Sequence, residues 1–212
     1  SPLLANLFLH YAHDKWLARE YPSLPFERYA DDAVIHCRNK FEAEKLLTKL
    51  RQRMQNCGLE LHPEKTRIVC CDPKPRRNPN QHYEFDFLGF THYCSRSRDG
   101  RRYRMKRKTV SKRFTAKLVG YKEWLKASRT QPTAQIMKTT AAKLRGHFAY
   151  YGVTDNSKSV QSFAYWVNQL LFKWLNRRGK RGCYTWEKFN KLLQLFALPS
   201  PRIQVNLLSA SR

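Results

Sequence analysis

The spacing of apolar residues changes character partway along the chain, and that change limits the folds open to it. From residue 109 onward the period is helical. Val110, Phe114, Leu118, Tyr121 and Leu125 form one stripe, Ile136, Leu144, Phe148 and Tyr151 a second, and Val160, Phe163, Val167, Leu170, Leu171 and Trp174 a third. Pro132 and the stretch 152–157 separate them, so the spacing predicts three amphipathic helices with short connections, a small bundle. Trp186, Phe189, Leu192, Leu193 and Phe196 add a short helix closed by Leu198-Pro199. Before residue 109 the pattern is mixed. Leu3, Leu4, Leu7, Phe8, Tyr11, Ala12 and Trp16 predict a core helix over 2–20, and Phe41, Leu46, Leu47, Leu50 and Met54 a second over 41–54, with Gly58 as its stop. Short β-type runs lie around them: 26–29 with 33–37, 59–61 with 68–70 across a polar turn, 85–90, and 95–108 about Asp99-Gly100, a hairpin dipeptide. The expected fold class is α+β: an antiparallel sheet with packed helices, then an all-α three-helix domain.

Charge follows the same division. The net charge is +25, yet residues 1–72 hold 11 Lys and Arg against 10 Asp and Glu, while residues 73–212 hold 30 against 6. A surface kept basic for solubility, or a structural protein of ribosomal type, would also be basic. A merely soluble surface mixes its signs, however, and each Lys or Arg that meets a phosphate releases condensed counterions. Nucleic acid is therefore the expected partner. Arg101, Arg102 and Arg104 lead the candidate phosphate contacts, joined by Lys106, Arg107, Lys108, Lys112, Arg113, Arg145, Arg177 and Arg178. No apolar run approaches the roughly 18 residues that span a bilayer, and no signal-peptide layout opens the chain, so a soluble cytoplasmic protein without membrane contact is expected. The six cysteines include no Cys-x-x-Cys pair and are expected to be reduced core residues.

The chemistry concentrates in Tyr29-Ala30-Asp31-Asp32, between a short apolar approach and Ala33-Val34-Ile35-His36-Cys37. Two short strands with a tight turn are predicted, the aspartates in the turn. Consecutive residues of a regular strand point to opposite faces, but at a turn the alternation breaks and adjacent carboxylates can serve one site. Hard Mg²⁺ takes such oxygen ligands, and a pair of ions about 3.5–4 Å apart clamps an in-line phosphoryl displacement. A plain polar hairpin turn remains the other reading of Asp-Asp. Gly89, inside the apolar run 85–90, marks a place where a ligand or another backbone comes close.

The tetrad resembles the Tyr-x-Asp-Asp active-site hairpin of reverse transcriptases, and Ala in the variable position is typical of non-retroviral retroelements. Three segments follow the family's order. Ser1-Pro2-Leu3-Leu4-Ala5-Asn6-Leu7-Phe8-Leu9-His10 is similar to the end of the nucleotide-contacting motif with the start of the palm helix. Gly58-Leu59-Glu60-Leu61-His62-Pro63-Glu64-Lys65-Thr66 is similar to the palm-lysine motif, and Phe87-Leu88-Gly89-Phe90 to the primer grip. Leu144-Arg145-Gly146-His147-Phe148-Ala149-Tyr150-Tyr151-Gly152 resembles the maturase-specific segment, domain X, of group II intron-encoded reverse transcriptases.

The resemblance implies the C-terminal part of a reverse-transcriptase palm over 1–105, a helical thumb and domain X over 106–180, and a basic extension with a short helix over 181–212. It implies an RNA-directed DNA polymerase with a maturase role in intron splicing and mobility. Asp31 and Asp32 become metal-binding and catalytic, and Lys65 the lysine that approaches the triphosphate and protonates pyrophosphate, a solvated turn lysine being the alternative. Tyr29, Leu88, Gly89 and Phe90 become primer or nucleotide contacts. The implied cofactor is Mg²⁺ in a two-metal site completed by an aspartate outside this chain. The implied partners are dNTP, primer-template duplex, intron RNA and an N-terminal fingers and palm segment. Two other functions stay open: a non-catalytic RNA-binding splicing maturase, and a reverse transcriptase of another bacterial lineage such as a retron, against which residues 144–152 weigh.

Overall fold

The computed structural model describes residues 2–71, 83–97, 100–178 and 184–207. The proline-rich stretch 72–82, Asp99 of the expected 95–108 hairpin, and Lys180 with Arg181 lie outside them. Two compact units divide at 85/86, whereas the sequence placed the end of the palm at 105.

The first unit contains α1 (Pro2–Leu9), a π-helical turn (His10–Asp14), α2 (Lys15–Glu20), the antiparallel hairpin β1 (Phe26–Tyr29) and β2 (Asp32–Ile35), and α3 (Lys40–Asn56). Leu17, Leu24 and Leu46 form its buried centre, with Trp16, Tyr21, Phe26 and Ile35 packed around them. Helix α3 is held at both ends by local chemistry. Asn39 Oδ1 accepts from Glu42 N–H at 2.8 Å, and Glu42 Oε2 in turn accepts from Arg38 N–H at 2.6 Å. At the other end Leu59 N–H reaches Met54 O and Gly58 N–H reaches Gln55 O, both at 2.9 Å, which is the Schellman pairing expected of Gly58.

Two expectations fail in this unit. Only the second half of the first helix's apolar stripe enters the core, through Ala12 and Trp16: α1 has no buried residue, and Leu3, Leu4, Leu7, Phe8 and Tyr11 are exposed. Helical spacing tells which residues share a face, not whether anything packs upon it. Phe41 is likewise 76% exposed. The two strands expected on either side of residues 62–67 do not form. Residues 63–65 make a turn, Thr66 N–H closing on His62 O at 2.9 Å, and Val69 alone makes a bridge there.

The second unit, whose boundary falls within the first of its strands, joins a three-stranded sheet of order β3-β4-β5 (Glu84–Phe87, Phe90–Arg96, Tyr103–Thr109) to four helices: α4 (Ser111–Ala127), α5 (Thr133–Tyr151), α6 (Ser157–Asn176) and α7 (Trp186–Leu195). The three expected stripes and the short fourth helix supply its core, with Leu125, Ile136, Phe148, Val160, Leu171 and Phe189 almost wholly buried. His147, from the domain-X-like segment, is 4% exposed and stacks on Phe163 with ring centroids 3.6 Å apart. Burial, with Lys117 nearby, lowers its pKa to about 4, so at neutral pH it is an uncharged core ring.

Buried polar bonds fasten the sheet to the bundle. Asn156 is 1% exposed; its Oδ1 accepts from Thr109 N–H at 2.9 Å, while its Nδ2 donates to Thr109 Oγ1 and to Tyr151 O, both at 2.9 Å. The end of β5 is thereby fixed to the α5–α6 junction. The tail returns to the same junction, with Val205 N–H on Gly152 O at 3.1 Å and Thr154 N–H on Val205 O at 3.1 Å. Gly152 permits that approach, since a Cβ there would lie 2.3 Å from Phe148 O and 2.9 Å from Arg202 O, both backbone atoms. Gly152→Ala is therefore expected to destabilise this unit by roughly 3 kcal/mol, the upper end for overpacking a site that cannot relax. Urea denaturation followed by far-UV circular dichroism measures it, and an unchanged midpoint would mean that the tail yields freely.

Candidate active site and nucleic-acid interface

Tyr29 pairs with Asp32 across the first hairpin, Glu27 with Val34 and Phe26 with Ile35. Directly opposed residues share a face. Tyr29 and Asp32 therefore stand on the solvent side, while Phe26, Arg28 and Ile35 turn toward the core. Ala30 and Asp31 alone make the turn, and Ala30 has φ +54°, the positive value that two-residue hairpin turns require at their first position. The expectation of both aspartates in the turn is thus corrected by one residue: Asp32 opens β2. Tyr29, Asp31 and Asp32 are all exposed, and neither carboxylate has a hydrogen-bond or ion-pair partner among the described residues.

A residue that the sequence reading passed over holds this turn. Arg28 donates from Nε to Asp14 Oδ1 and from Nη2 to Asp14 Oδ2, both at 2.7 Å. Its Nη1 donates to Ala30 O at 2.7 Å and to Asn6 Oδ1 at 3.1 Å. One guanidinium thus ties the turn carbonyl to α1 and to the π-helical turn. The doubly bonded Arg28 pulls the Asp14 pKa down to about 2 against the opposing effect of burial, and His13 adds a further bond at 2.9 Å. In the π-helical turn, the carbonyls of Ala12 and Tyr11 accept from Arg53 at 3.1 and 3.4 Å. Asp14, one residue after His13, was the signal available in the sequence, but nothing there pairs it with an arginine fourteen residues on.

A metal requires more donors than the turn offers. Hard carboxylate oxygens suit Mg²⁺, and two unpaired carboxylates at a hairpin tip fit part of such a site. No group of three His, Cys, Asp or Glu side chains able to hold an ion occurs among the described residues. Lys65 lies in the exposed turn 63–65 of the same unit.

In the second unit, Leu88-Gly89 is not the interior of a strand. It is the reversal between β3 and β4, with φ +48° at Leu88 and +80° at Gly89, the pair of positive values that a type I′ turn demands. The apolar run concealed it, because Leu rarely takes such a conformation. Two tyrosines seat the turn. Tyr150 Oη donates to Leu88 O at 2.8 Å and its ring stacks on Phe90, centroids 5.9 Å apart. Tyr151 meets Phe90 edge-on at 5.3 Å, and a Cβ at Gly89 would lie 3.2 Å from Tyr151 Oη and 3.5 Å from an Arg113 nitrogen. Gly89 is thus a point of close approach to protein.

The candidate phosphate contacts separate into groups. In the β4–β5 ladder His92 opposes Arg107, Tyr93 opposes Lys106 and Thr91 opposes Lys108, so Arg107 stands on the face opposite Lys106 and Lys108. Arg104 needs correction as a leading phosphate contact: both of its terminal nitrogens bind the Asp155 carboxylate, and that pair is largely covered. Arg178 is engaged as well, with Thr133 Oγ1 at 3.0 Å and Gln131 O, and Arg177 lies over the Trp174 ring at 5.2 Å. Arg101, Arg102, Lys112, Arg113 and Arg145 are exposed.

Residues 1–92 match the family model for reverse transcriptase (RNA-dependent DNA polymerase), and residues 111–192 match that for the group II intron maturase-specific domain. The chain belongs to the group II intron-encoded reverse transcriptases. No curated protein matches it. An intron-encoded reverse transcriptase/maturase has a splicing role and nucleic-acid partners, intron RNA among them. In this reverse transcriptase/maturase the two matched segments meet within the second unit, Leu88 to Phe90 from the first and Tyr150 and Tyr151 from the other. Among the described residues no helix is long and apolar enough to cross a membrane.

Proposed function

We propose that the hairpin tip carries the carboxylates of a DNA-polymerising centre, with Asp31 and Asp32 as its contribution to a Mg²⁺ site. The observation that supports this reading is two adjacent, unpartnered carboxylates on a turn whose carbonyl is held by Arg28. In the reaction a primer 3′-hydroxyl attacks the α-phosphate of a dNTP, a new P–O bond forms, the hydroxyl proton is lost and pyrophosphate departs. Bound Mg²⁺ supplies charge neutralisation on the phosphates, the main demand of such transfers. Tyr29, on the same face as Asp32, packs against the primer end. Leu88, Gly89 and Phe90 present the primer terminus, and Lys65 gives a proton to the leaving pyrophosphate. A further aspartate from an earlier palm strand completes the metal site. The palm extends over 1–105 and the thumb with domain X over 106–180, with 181–212 as a basic extension; the protein works in a ribonucleoprotein. A second reading, a splicing maturase whose aspartates are idle, draws support from the absence of a third metal donor among the described residues.

Binding tests the nucleic-acid half of the proposal. Affinity for primer-template duplex or structured RNA should fall steeply with salt, with log K changing by about −0.9 per neutralised phosphate on a B-DNA duplex. Arg101→Ala with Arg102→Ala should weaken binding broadly across sequences and flatten that slope by up to about two phosphates' worth, because phosphate contacts position without reading bases. Asp31→Ala should leave binding nearly intact. Filter binding between 50 and 400 mM KCl, concentrations chosen to span roughly a decade of screening, reads all three. A salt-independent affinity, or loss of binding with Asp31 but not with the arginines, would refute this division of labour.

A further inference from the structure

Helix α6 places two large aromatic side chains on the side that its core does not use. Val160, Phe163, Ala164, Val167, Leu171 and Leu175 are buried. At 3.6 residues per turn, Lys158, Ser162, Tyr165, Trp166, Gln169 and Lys173 gather on the opposite side. Tyr165 is 56% and Trp166 50% exposed, and their rings meet edge to face with centroids 5.3 Å apart. Among the described residues no third ring lies against either. Neither Lys158 nor Lys173 has an ion-pair partner there. The two lysines stand about two turns to each side of the aromatic pair, roughly 10 Å along the axis.

The charge around this face points to its occupant. Between Trp124 and Trp186 the single carboxylate is Asp155, and it is taken by Arg104. A protein partner would have to answer the lysines with carboxylates of its own, whereas a polyphosphate strand brings a negative charge with every nucleotide. Exposed rings between unanswered cations are the elements by which proteins bind single strands: bases stack on the aromatic faces while the backbone follows the positive charge. A duplex keeps its base faces stacked inside, save one at each end, and offers no run of unpaired faces to Tyr165 and Trp166.

We propose that Tyr165 and Trp166 form a stacking platform for unpaired RNA bases, with Lys158 and Lys173 taking the phosphates on either side. This rests on the intron-RNA reading and adds to it a ligand class and a location. It requires no base-specific hydrogen bond, so it accepts any unpaired sequence with little preference.

The test uses the whole chain, a twelve-nucleotide unstructured RNA of mixed sequence (a length chosen to outreach the roughly 4–16 nucleotides of a typical single-strand site), and a blunt duplex of the same length. Tyr165→Leu with Trp166→Leu should weaken single-strand binding by roughly tenfold or more, the scale of losing one or two stacked bases. Duplex binding should stay within about twofold of the unchanged protein, because phosphate contacts elsewhere supply it. Tyr165→Phe with Trp166→Phe keeps both ring faces and should retain most of the affinity. Leucine keeps the apolar bulk that a protein-docking surface would need, so the contrast between leucine and phenylalanine isolates stacking. An RNA carrying 4-thiouridine should also crosslink, in the unaltered protein, to the peptide containing Tyr165 and Trp166. Undiminished single-strand binding by the leucine variant, equal losses in both variants, or crosslinks that avoid this peptide would each overturn the platform. Self-association that survives the leucine changes and is unaffected by RNA would overturn it in favour of a second copy as occupant. If the unaltered chain binds neither strand nor duplex, the intron-RNA reading itself falls, a different result from all of these.

Discussion

Primer extension on an RNA template is expected to vanish when Asp31 is replaced by Asn, a fall of roughly a thousandfold or more, as follows from losing several kcal/mol of transition-state charge stabilisation. The carboxamide keeps the size and the turn but has no negative charge to offer a divalent cation. The measurement needs a protein in which extension occurs. Residues 1–212 are assayed alone and together with a fingers and palm segment that carries the further aspartate the proposed site requires. Positioning contributes up to roughly 7–11 kcal/mol in well-oriented reactions, and a fingers segment would add to it. Supplying a fingers and palm segment with a further aspartate, in cis or as a separate fragment, should bring extension up. In that protein Lys65→Ala should slow extension and leave a residue of activity, as expected for a proton donor that water can partly replace. If the completed protein binds primer-template yet adds no nucleotide, the polymerase reading fails and the idle-aspartate maturase takes its place.

What the sequence made legible, and what it hid, follows from the range of the interactions. The Tyr29 to Asp32 hairpin was readable to within one residue, because β-branched Val34 and Ile35 and a polar pair state strand and turn within ten residues, although the turn itself is Ala30-Asp31. The three long helices of the second unit were readable because each stripe spans four or more turns, long enough for the period to be unmistakable. Leu88-Gly89 was not readable as a turn. Its positive φ at Leu88 is sustained by Tyr150, sixty-two residues away, and no local residue type announces it. The same limit hid the engagement of Arg104 with Asp155, fifty-one residues on, since a basic ribbon in sequence does not tell which of its members find an acid after folding. The exposed stripe of α1 is the reverse case: local periodicity was correct, and tertiary packing left it unused.

Arg28 should prove nearly as sensitive as the aspartates, though it touches no substrate in the proposed reaction. Replacement by Met preserves much of the stem and removes four hydrogen bonds at once: two to Asp14, one to Asn6 and one to Ala30 O. Asp14 would then be a mostly covered carboxylate without its cation, and the turn carbonyl would lose its donor. The stability effect has a defined sign. Asp14 has its pKa lowered to about 2 in the folded protein, against about 3.9 in an unfolded chain. Its contribution is therefore complete above pH 4 and disappears as the pH falls through 2. At neutral pH the loss should be roughly 2 kcal/mol, after allowance for the partial exposure of both side chains. Urea denaturation at pH 7 and at pH 3 should show the gap between Arg28→Met and the unaltered protein narrowing in acid. Extension by the completed protein should fall roughly a hundredfold, the scale of misplacing a reacting group by an ångström. Arg28→Lys keeps the charge but cannot bind both oxygens of Asp14 and reach Ala30 O together, so it should recover stability more than activity. The reverse pattern, activity restored by lysine while stability stays low, would mean that the turn needs only a nearby positive charge and that its carbonyl is positioned by the hairpin alone.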